Sequence, residues 1–304
     1  MNTQKIKLDY NEMMNYFHTK GITSELTNSQ MIYQLSTKTY FYKFISYRKN
    51  FDKKENNQYI NLSFEILQDL ASIDVDLRYL VIKMSLDIEH QLKTIIMNEI
   101  TNNKSENGYS IIYKFIATSK DPTNTKKLLM INNKKSIYNQ QFYEKYHTDP
   151  PIWVAFESMS FGLLIDFADF YISHYPNTSI KALHPLLYSV RHLRNNAAHS
   201  SPILNQITEK NFYDHSRTVT QYVNRYIGKT STRNKLSVQK IYDLTSLIIL
   251  YEHVMPNSRL KRERKKEVIG FLKRVKKNSH YYSKHIQLET VYLYFIKLIL
   301  KKSK

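Results

Sequence analysis

The run Arg191-His192-Leu193-Arg194-Asn195-Asn196-Ala197-Ala198-His199-Ser200 holds residue types that together can act on a phosphate group. A histidine titrates near neutrality, so it serves as a base when neutral and as an acid when protonated. A guanidinium grips two phosphate oxygens and steadies the charge that develops on them. Arg194 and His199 form this pair, and Asn195 adds an amide that can orient an imidazole or bond to phosphate. On an ideal helix, positions five apart lie about 140° apart around the axis. The pairing therefore calls for local unwinding near Ala198 and His199, helped by Pro202. His192, Asn196 and His199 fall near one face, at spacings of four and three. A plainer reading also stands: cationic side chains at a helix C-terminus suit its dipole. A metal centre is less favoured, because His192 and His199 lack a third ligand nearby and no H-E-x-x-H pattern occurs. No metal or other cofactor is expected.

Helices must position these residues. Asp9 with Glu12 reads as a capping box, with Gly21 as the matching C-cap, and Thr27 with Gln30 opens a second short helix. The stretch Tyr40-Phe41-Tyr42-Lys43-Phe44-Ile45-Ser46-Tyr47-Arg48 is aromatic and basic. It suits a helix end, a short strand or a loop, and its rings either pack in a core or stack on bases. Ser63 precedes a helix carrying Phe64, Ile66, Leu67 and Leu70, and a separate long helix is expected over about Asp74–Asn102. Its apolar spacings mix three and four, as a buried helical face requires. Shorter helices fill Tyr109–Tyr146. Asp149-Pro150-Pro151 starts a central helix over about Ile152–Ser173, in which Gly162 would allow close approach of another helix. Further helices are expected over Ile180–Ala198, Glu209–Ile227, Val238–His253, Arg259–Lys276 and Ile286–Lys301.

Composition agrees with an all-α fold. Five Gly and seven Pro in 304 residues are too few for a turn-rich sandwich or barrel, and no glycine-rich phosphate loop is present. There is no Cys, which excludes disulfides and suits a reducing cytoplasm. Met1–Tyr10 lacks the apolar core of a signal peptide, and no apolar run approaches the ~18 residues needed to span a bilayer. A cytoplasmic protein without a membrane partner is expected.

The net charge of +19 favours a polyanionic partner. It is concentrated at one end: residues 257–304 hold 15 Lys/Arg against 3 Asp/Glu. Arg191, Lys261, Arg262, Arg264, Lys265, Lys266, Lys273, Arg274, Lys276 and Lys277 are the candidate phosphate-backbone contacts. His280, Tyr281 and Tyr282 lie just beyond, where rings can stack on bases. A solvated lysine-rich surface is the alternative for this cluster. The chain is divided accordingly into 1–230 and a basic helical extension, 231–304.

The segment around Arg194-Asn195 and His199 resembles the R-N-x-x-x-H signature of HEPN-superfamily ribonucleases. Much of the chain is also similar to abortive-infection proteins of the Abi family, of the AbiD/AbiF type. The likeness runs in order through Tyr40–Arg48; Asp74-Val75-Asp76-Leu77-Arg78 followed by Ile88-Glu89; Pro150-Pro151-Ile152-Trp153-Val154 followed by Glu157 and Ser160-Phe161-Gly162; and Arg194-Asn195 with Ala198-His199. It spans roughly Leu8 to Ile227 and leaves the basic C-terminal third outside. One departure lies after the histidine: a polar or basic residue and a Trp-Asn pair give way to Ser200-Ser201-Pro202-Ile203-Leu204-Asn205.

The resemblance implies a HEPN-like helical bundle elaborated with extra helices, often dimeric, that cuts RNA without metal in defence against phage. RNA supplies its own nucleophile, the 2′-OH, so Arg194, His199 and Asn195 would need only to orient, deprotonate and stabilise. In-line attack puts nucleophile and leaving group on opposite sides of phosphorus. Two copies of the pair across a homodimer would serve both. The implied partner is RNA, in some relatives a structured noncoding RNA. The second expectation is a non-catalytic RNA-binding protein. Arg78 and Glu89 are expected in buried polar contacts between helices.

Overall fold

The computed structural model describes residues 6–134, 137, 138, 140–212 and 214–300. Asp9 and Glu12 exchange side-chain and backbone bonds at the start of α1, Tyr10–Thr19, and Thr27 and Gln30 do the same for α2, Asn28–Thr37. These reciprocal bonds satisfy N–H groups that have no partner within the helix. Gly21 stops α1 at φ +66°, where its N–H donates to the His18 carbonyl and Ile22 N–H to that of Phe17. The aromatic stretch becomes a single helical turn, α3 (Phe41–Phe44), which runs on as a 3-10 helix over Ile45–Asn50. Phe41, Phe44 and Tyr47 are buried, whereas Tyr40 and Tyr42 are exposed, so the stretch is core on one side and surface on the other.

One helix, α4, covers Phe64–Asn102, where two were expected. No Gly or Pro interrupts it. Asp74, near which a second helix was expected to begin, lies in mid-helix and bonds to Arg78 one turn on. Arg78 thus pairs within its own helix, as does Glu89 with Lys93.

The helices that follow are α5 (Ser110–Thr118), α6 (Pro122–Lys134), α7 (Gln140–Tyr146), α8 (Ile152–Ser158) and α9 (Phe161–His174). The expected central helix is therefore two. Met159 and Ser160 turn extended, and Ser160 Oγ caps α9 by accepting from Leu163 N–H at 3.2 Å. Gly162 is not held by close approach: a Cβ there would meet its nearest neighbours, Ser160 Oγ and Arg191 Cδ, at ordinary van der Waals distances. Gly108 is the glycine that is required. Its φ is +84°, and a Cβ would lie 2.5 Å from the Trp153 ring that closes over it.

A 3-10 helix over Ser179–Leu183 leads into α10, His184–Ala198. Then come α11 (Arg217–Asn224), α12 (Lys229–Leu236), α13 (Gln239–Val254), α14 (Arg259–Lys277) and α15 (Ile286–Leu300). Helix α12 has no counterpart among the expected helices, and 209–212 and 214–216 are irregular where a helix was expected. The expected end of the last helix, Lys301, lies outside the described residues. Among the described residues there is no strand, only two isolated β-bridges, so the fold is all-α.

The chain forms two compact units. The first comprises the described residues of 1–82, 193–245 and 259–304, so the basic C-terminal residues belong with the N-terminal helices. Its core includes Phe17, Phe44, Phe64, Leu67, Leu70 and Val81. Asp69, buried on α4, accepts from Arg274 Nη2 (3.0 Å), Asn278 Nδ2 (2.7 Å) and Tyr282 OH (2.7 Å). This one carboxylate secures the end of α14 and the turn beyond it.

The second unit comprises the described residues of 83–192 and 246–258. Met84, Ile88, Leu92, Ile96 and Ile100, each four residues apart, bury one stripe of α4. Glu99 accepts from Thr178 Oγ1 (2.6 Å), Ser179 N–H (3.0 Å) and Ser179 Oγ (2.6 Å), fixing the turn that enters α10.

Candidate functional site

Leu186, Leu187, Val190, Leu193 and Ala197 bury one face of α10. That leaves Asn195, Asn196 and His199 exposed and Arg194 on the flank, half-buried. The helix stops on a specific turn. His199 N–H still donates to Asn195 O (3.0 Å), but Ser200 N–H turns to Ala197 O (3.0 Å) and Ser201 N–H reaches back to Asn196 O (2.8 Å). This pair of reverse bonds is a Schellman cap, and it places Ser200 at φ +56°. A left-handed serine lacks glycine's freedom, so the surrounding structure must hold it there. His199 is thus the last residue before the chain reverses, with its side chain in solvent.

Arg194 Nη1 donates to Asn195 Oδ1 at 3.2 Å. Among the described residues no hydrogen bond or ion pair joins Arg194 to His199. The side chain that Arg194 does meet is that of Asn195, on the exposed face one turn before His199. Arg191 lies elsewhere. Its guanidinium sits 5.0 Å from the centroid of the Tyr188 ring and 3.8 Å from Asp166. Burial raises the Asp166 carboxyl above its ordinary value, and Arg191 acts against that rise.

The chain beyond His199 is fixed by two buried polar residues. Leu204 N–H donates to Asp74 Oδ1 at 2.7 Å, and Leu204 O accepts from Asn50 Nδ2 at 2.8 Å. Ile207 N–H closes the loop onto Asn50 Oδ1 at 2.9 Å. Asp74 is fully buried and also accepts from Arg78 Nε (2.9 Å) and from the Tyr47 hydroxyl. Burial first, then the negative Asp74, pushes the Tyr47 hydroxyl well above its ordinary value, so it stays a donor. Three stretches far apart in sequence, the aromatic turn, α4 and the loop after His199, therefore meet at one carboxylate. Sequence reasoning misses Asn50; an asparagine closing an aromatic segment is an ordinary helix-end residue until its partner is known.

The basic cluster on α14 divides by helix face. Arg262, Lys266, Lys273 and Lys277, at spacings of four, seven and four, keep to one exposed side, with Lys265 and Lys276 beside them. Lys261 is half-buried. Arg264 turns inward and pairs with Glu267 at 2.6 Å, and Arg274 is held by Asp69 and by Ser72 Oγ at 3.2 Å. Tyr282 is buried on Asp69, while His280 is exposed.

Among the described residues no helix is long and apolar enough to cross a membrane, and no three His, Cys, Asp or Glu side chains gather as a metal site. No curated protein and no solved structure matches the chain. A family model does. It covers residues 34–205, from the helix before the aromatic turn to the Asp74-anchored loop, and so includes α10 with Arg194 and His199 but not α14. That match spans more than half of the sequence, and the chain belongs to the family of Abi-like proteins.

Proposed function

We propose that this Abi-like protein is a HEPN-type, metal-independent endoribonuclease that acts in the cytoplasm in abortive infection, the defence against phage that its family points to. The observation that carries the proposal is the end of α10: a capped turn that presents the His199 imidazole to solvent, one turn after Asn195, whose side chain accepts from Arg194. His199 takes the 2′-OH proton, Arg194 holds the non-bridging oxygens of the phosphorane, and Asn195 orients the guanidinium. Because the ribose supplies the nucleophile, the chemistry needs proton transfer and charge stabilisation only.

A single imidazole cannot reach both the attacking and the leaving oxygen. The proposal therefore includes a homodimer that sets two copies of the pair about one phosphate. The exposed face of Asn195, Asn196 and His199 is compatible with such an arrangement. Outward cations on α14 would hold the RNA backbone, with Arg264 and Arg274 given to the fold instead.

The decisive experiment is cleavage of labelled RNA in excess EDTA. Wild type is expected to cut, and His199→Ala to lose at least about a thousandfold of the rate while still binding RNA. A second reading, a non-catalytic protein that holds a structured RNA, is favoured by the absence of a direct Arg194–His199 bond among the described residues. Tight RNA binding with no cutting by either protein would select it.

A further inference from the structure

Helix α15 is apolar on two sides. Leu288, Val291, Tyr294 and Leu298 are buried, and the Tyr294 hydroxyl meets Thr245 Oγ1 of α13 at 2.9 Å. That face holds the helix to its own unit. On the opposite side Ile286, Leu293 and Leu300 are exposed, and they recur every seven residues. Seven is the spacing at which one helix presents an apolar seam to another. Two charged residues share this side. Glu289 and Lys297 are exposed, and neither side chain has a hydrogen bond or ion pair among the described residues. At 100° per residue all five positions fall within an arc of about 80°.

The stripe is symmetric about its centre. Ile286 and Leu300 lie seven residues to either side of Leu293, and Glu289 and Lys297 lie four to either side. An identical helix turned end for end about Leu293 therefore sets Ile286 against Leu300, Glu289 against Lys297, and Leu293 against itself. Each apolar residue meets an apolar one, and each charge meets its opposite. A surface that is its own complement under a two-fold rotation is what an isologous dimer requires. Parallel pairing in the same register would instead set Glu289 on Glu289 and Lys297 on Lys297, and like charges in contact disfavour it. We propose that α15 pairs antiparallel with α15 of a second copy of this chain, about a two-fold axis at Leu293. This surface lies outside the family match over 34–205 and apart from the exposed Asn195–His199 face, so the pairing does not rest on the ribonuclease reading.

The test uses the full chain in sedimentation equilibrium, up to roughly 100 μM because one helix makes a small interface. Wild type is expected to dimerise. Leu293→Asp, which puts two carboxylates on the axis, should weaken association at least about tenfold. Glu289→Lys and Lys297→Glu should each weaken it by about tenfold, since each sets like charges together twice. Glu289→Lys combined with Lys297→Glu restores the opposite-charge pairs and should recover association to within about threefold, which separates loss of pairing from damage to the fold. Thiol cross-linking fixes the register, because the chain has no Cys of its own. Leu293→Cys should give a disulfide-linked dimer on mild oxidation. Ile286→Cys alone should not, but combined with Leu300→Cys it should. A monomeric wild type overturns the proposal, as does a dimer that Leu293→Asp leaves intact. Failure of the double charge exchange to restore what the single changes lose also overturns it, and so does cross-linking through Ile286→Cys alone as readily as through Leu293→Cys.

Discussion

Two cation-rich regions of the first compact unit hold their charge in opposite ways. On α14, Arg262, Lys266, Lys273 and Lys277 stand in solvent along one helix face, with acidic neighbours only at the surface, such as Glu263 beside Lys266 at 2.9 Å. Around Asp74, Lys43, Arg78 and Lys240 are wholly or half withdrawn from water and come from three different elements. The first region is a property of one helix, and its charges act on anything nearby with strength that salt screens. The second exists only because the fold brings the pieces together, and its charges are less screened and more costly to leave unmatched. Charge density alone therefore does not rank cationic regions. The region poorer in Lys and Arg is the one where each charge matters to the fold.

The largest expected difference between them is in stability. Asp74→Ala removes a buried counter-charge together with the anchor of the Leu204 loop, and should cost about 3–5 kcal/mol, read by urea unfolding. Neutralising Lys266, Lys273 and Lys277 together should shift stability by no more than about 0.5 kcal/mol per site. Equal effects from the two changes would break the contrast. Next comes Asp69→Ala. It leaves Arg274, Asn278 and Tyr282 without their acceptor, but Arg274 is partly solvated, so about 2 kcal/mol is expected. That loss should be accompanied by faster proteolysis near residues 278–285.

Binding sharpens the contrast from the other side. If single-stranded RNA lies along α14, the triple lysine-to-glutamine change should lower the slope of log affinity against log salt by about 2, at roughly 0.7 for each phosphate no longer neutralised. An unchanged slope would return α14 to a plain solvated surface. The smallest effect expected is on acid stability, and it arises in the other compact unit. Burial alone would raise Glu99, yet donors from Ser179 and Thr178 outweigh it and hold the carboxyl below its ordinary 4.5. Glu106 behaves likewise, with Ser110, Tyr175 and Lys114 as its donors. A depressed folded value contributes stability that is present above pH 4.5 and lost as pH falls through the folded value. Glu99→Gln should reduce that acid-dependent loss in a pH series of thermal melts.

Local signals carried far in this chain. The capping boxes at Asp9 and Thr27 follow from side-chain chemistry within four residues, and they stand where the sequence places them; the start of α14 at Arg259 also falls where it was expected. The end of α10 is nearly as clear. Signals failed where a polar residue had two possible partners. Asp74 was expected near the start of a helix and is instead buried in mid-helix, where Arg78, Tyr47 and Leu204 satisfy it. Ser160 reads as part of a helix and instead caps a new one. For the candidate site, the residue types and the unwinding at His199 were legible, along with the family that the match over 34–205 bears out. The partner of Arg194 was not.

The sequence by itself determined that the protein is all-α, that its charge lies mostly at one end, and that Arg194, Asn195 and His199 share the end of one helix. Those are matters of composition and of spacing along a single element. Only the tertiary structure decided that Arg264 and Arg274 serve the fold while Arg262 and Lys266 face solvent, since a helix does not reveal which side it will bury until its neighbours are in place. It also decided that Asn50 and Asp74, some 150 and 130 residues from the loop they hold, fix the chain beyond His199. A buried hydrogen bond between distant residues depends on the whole fold for its geometry, and no local pattern records it.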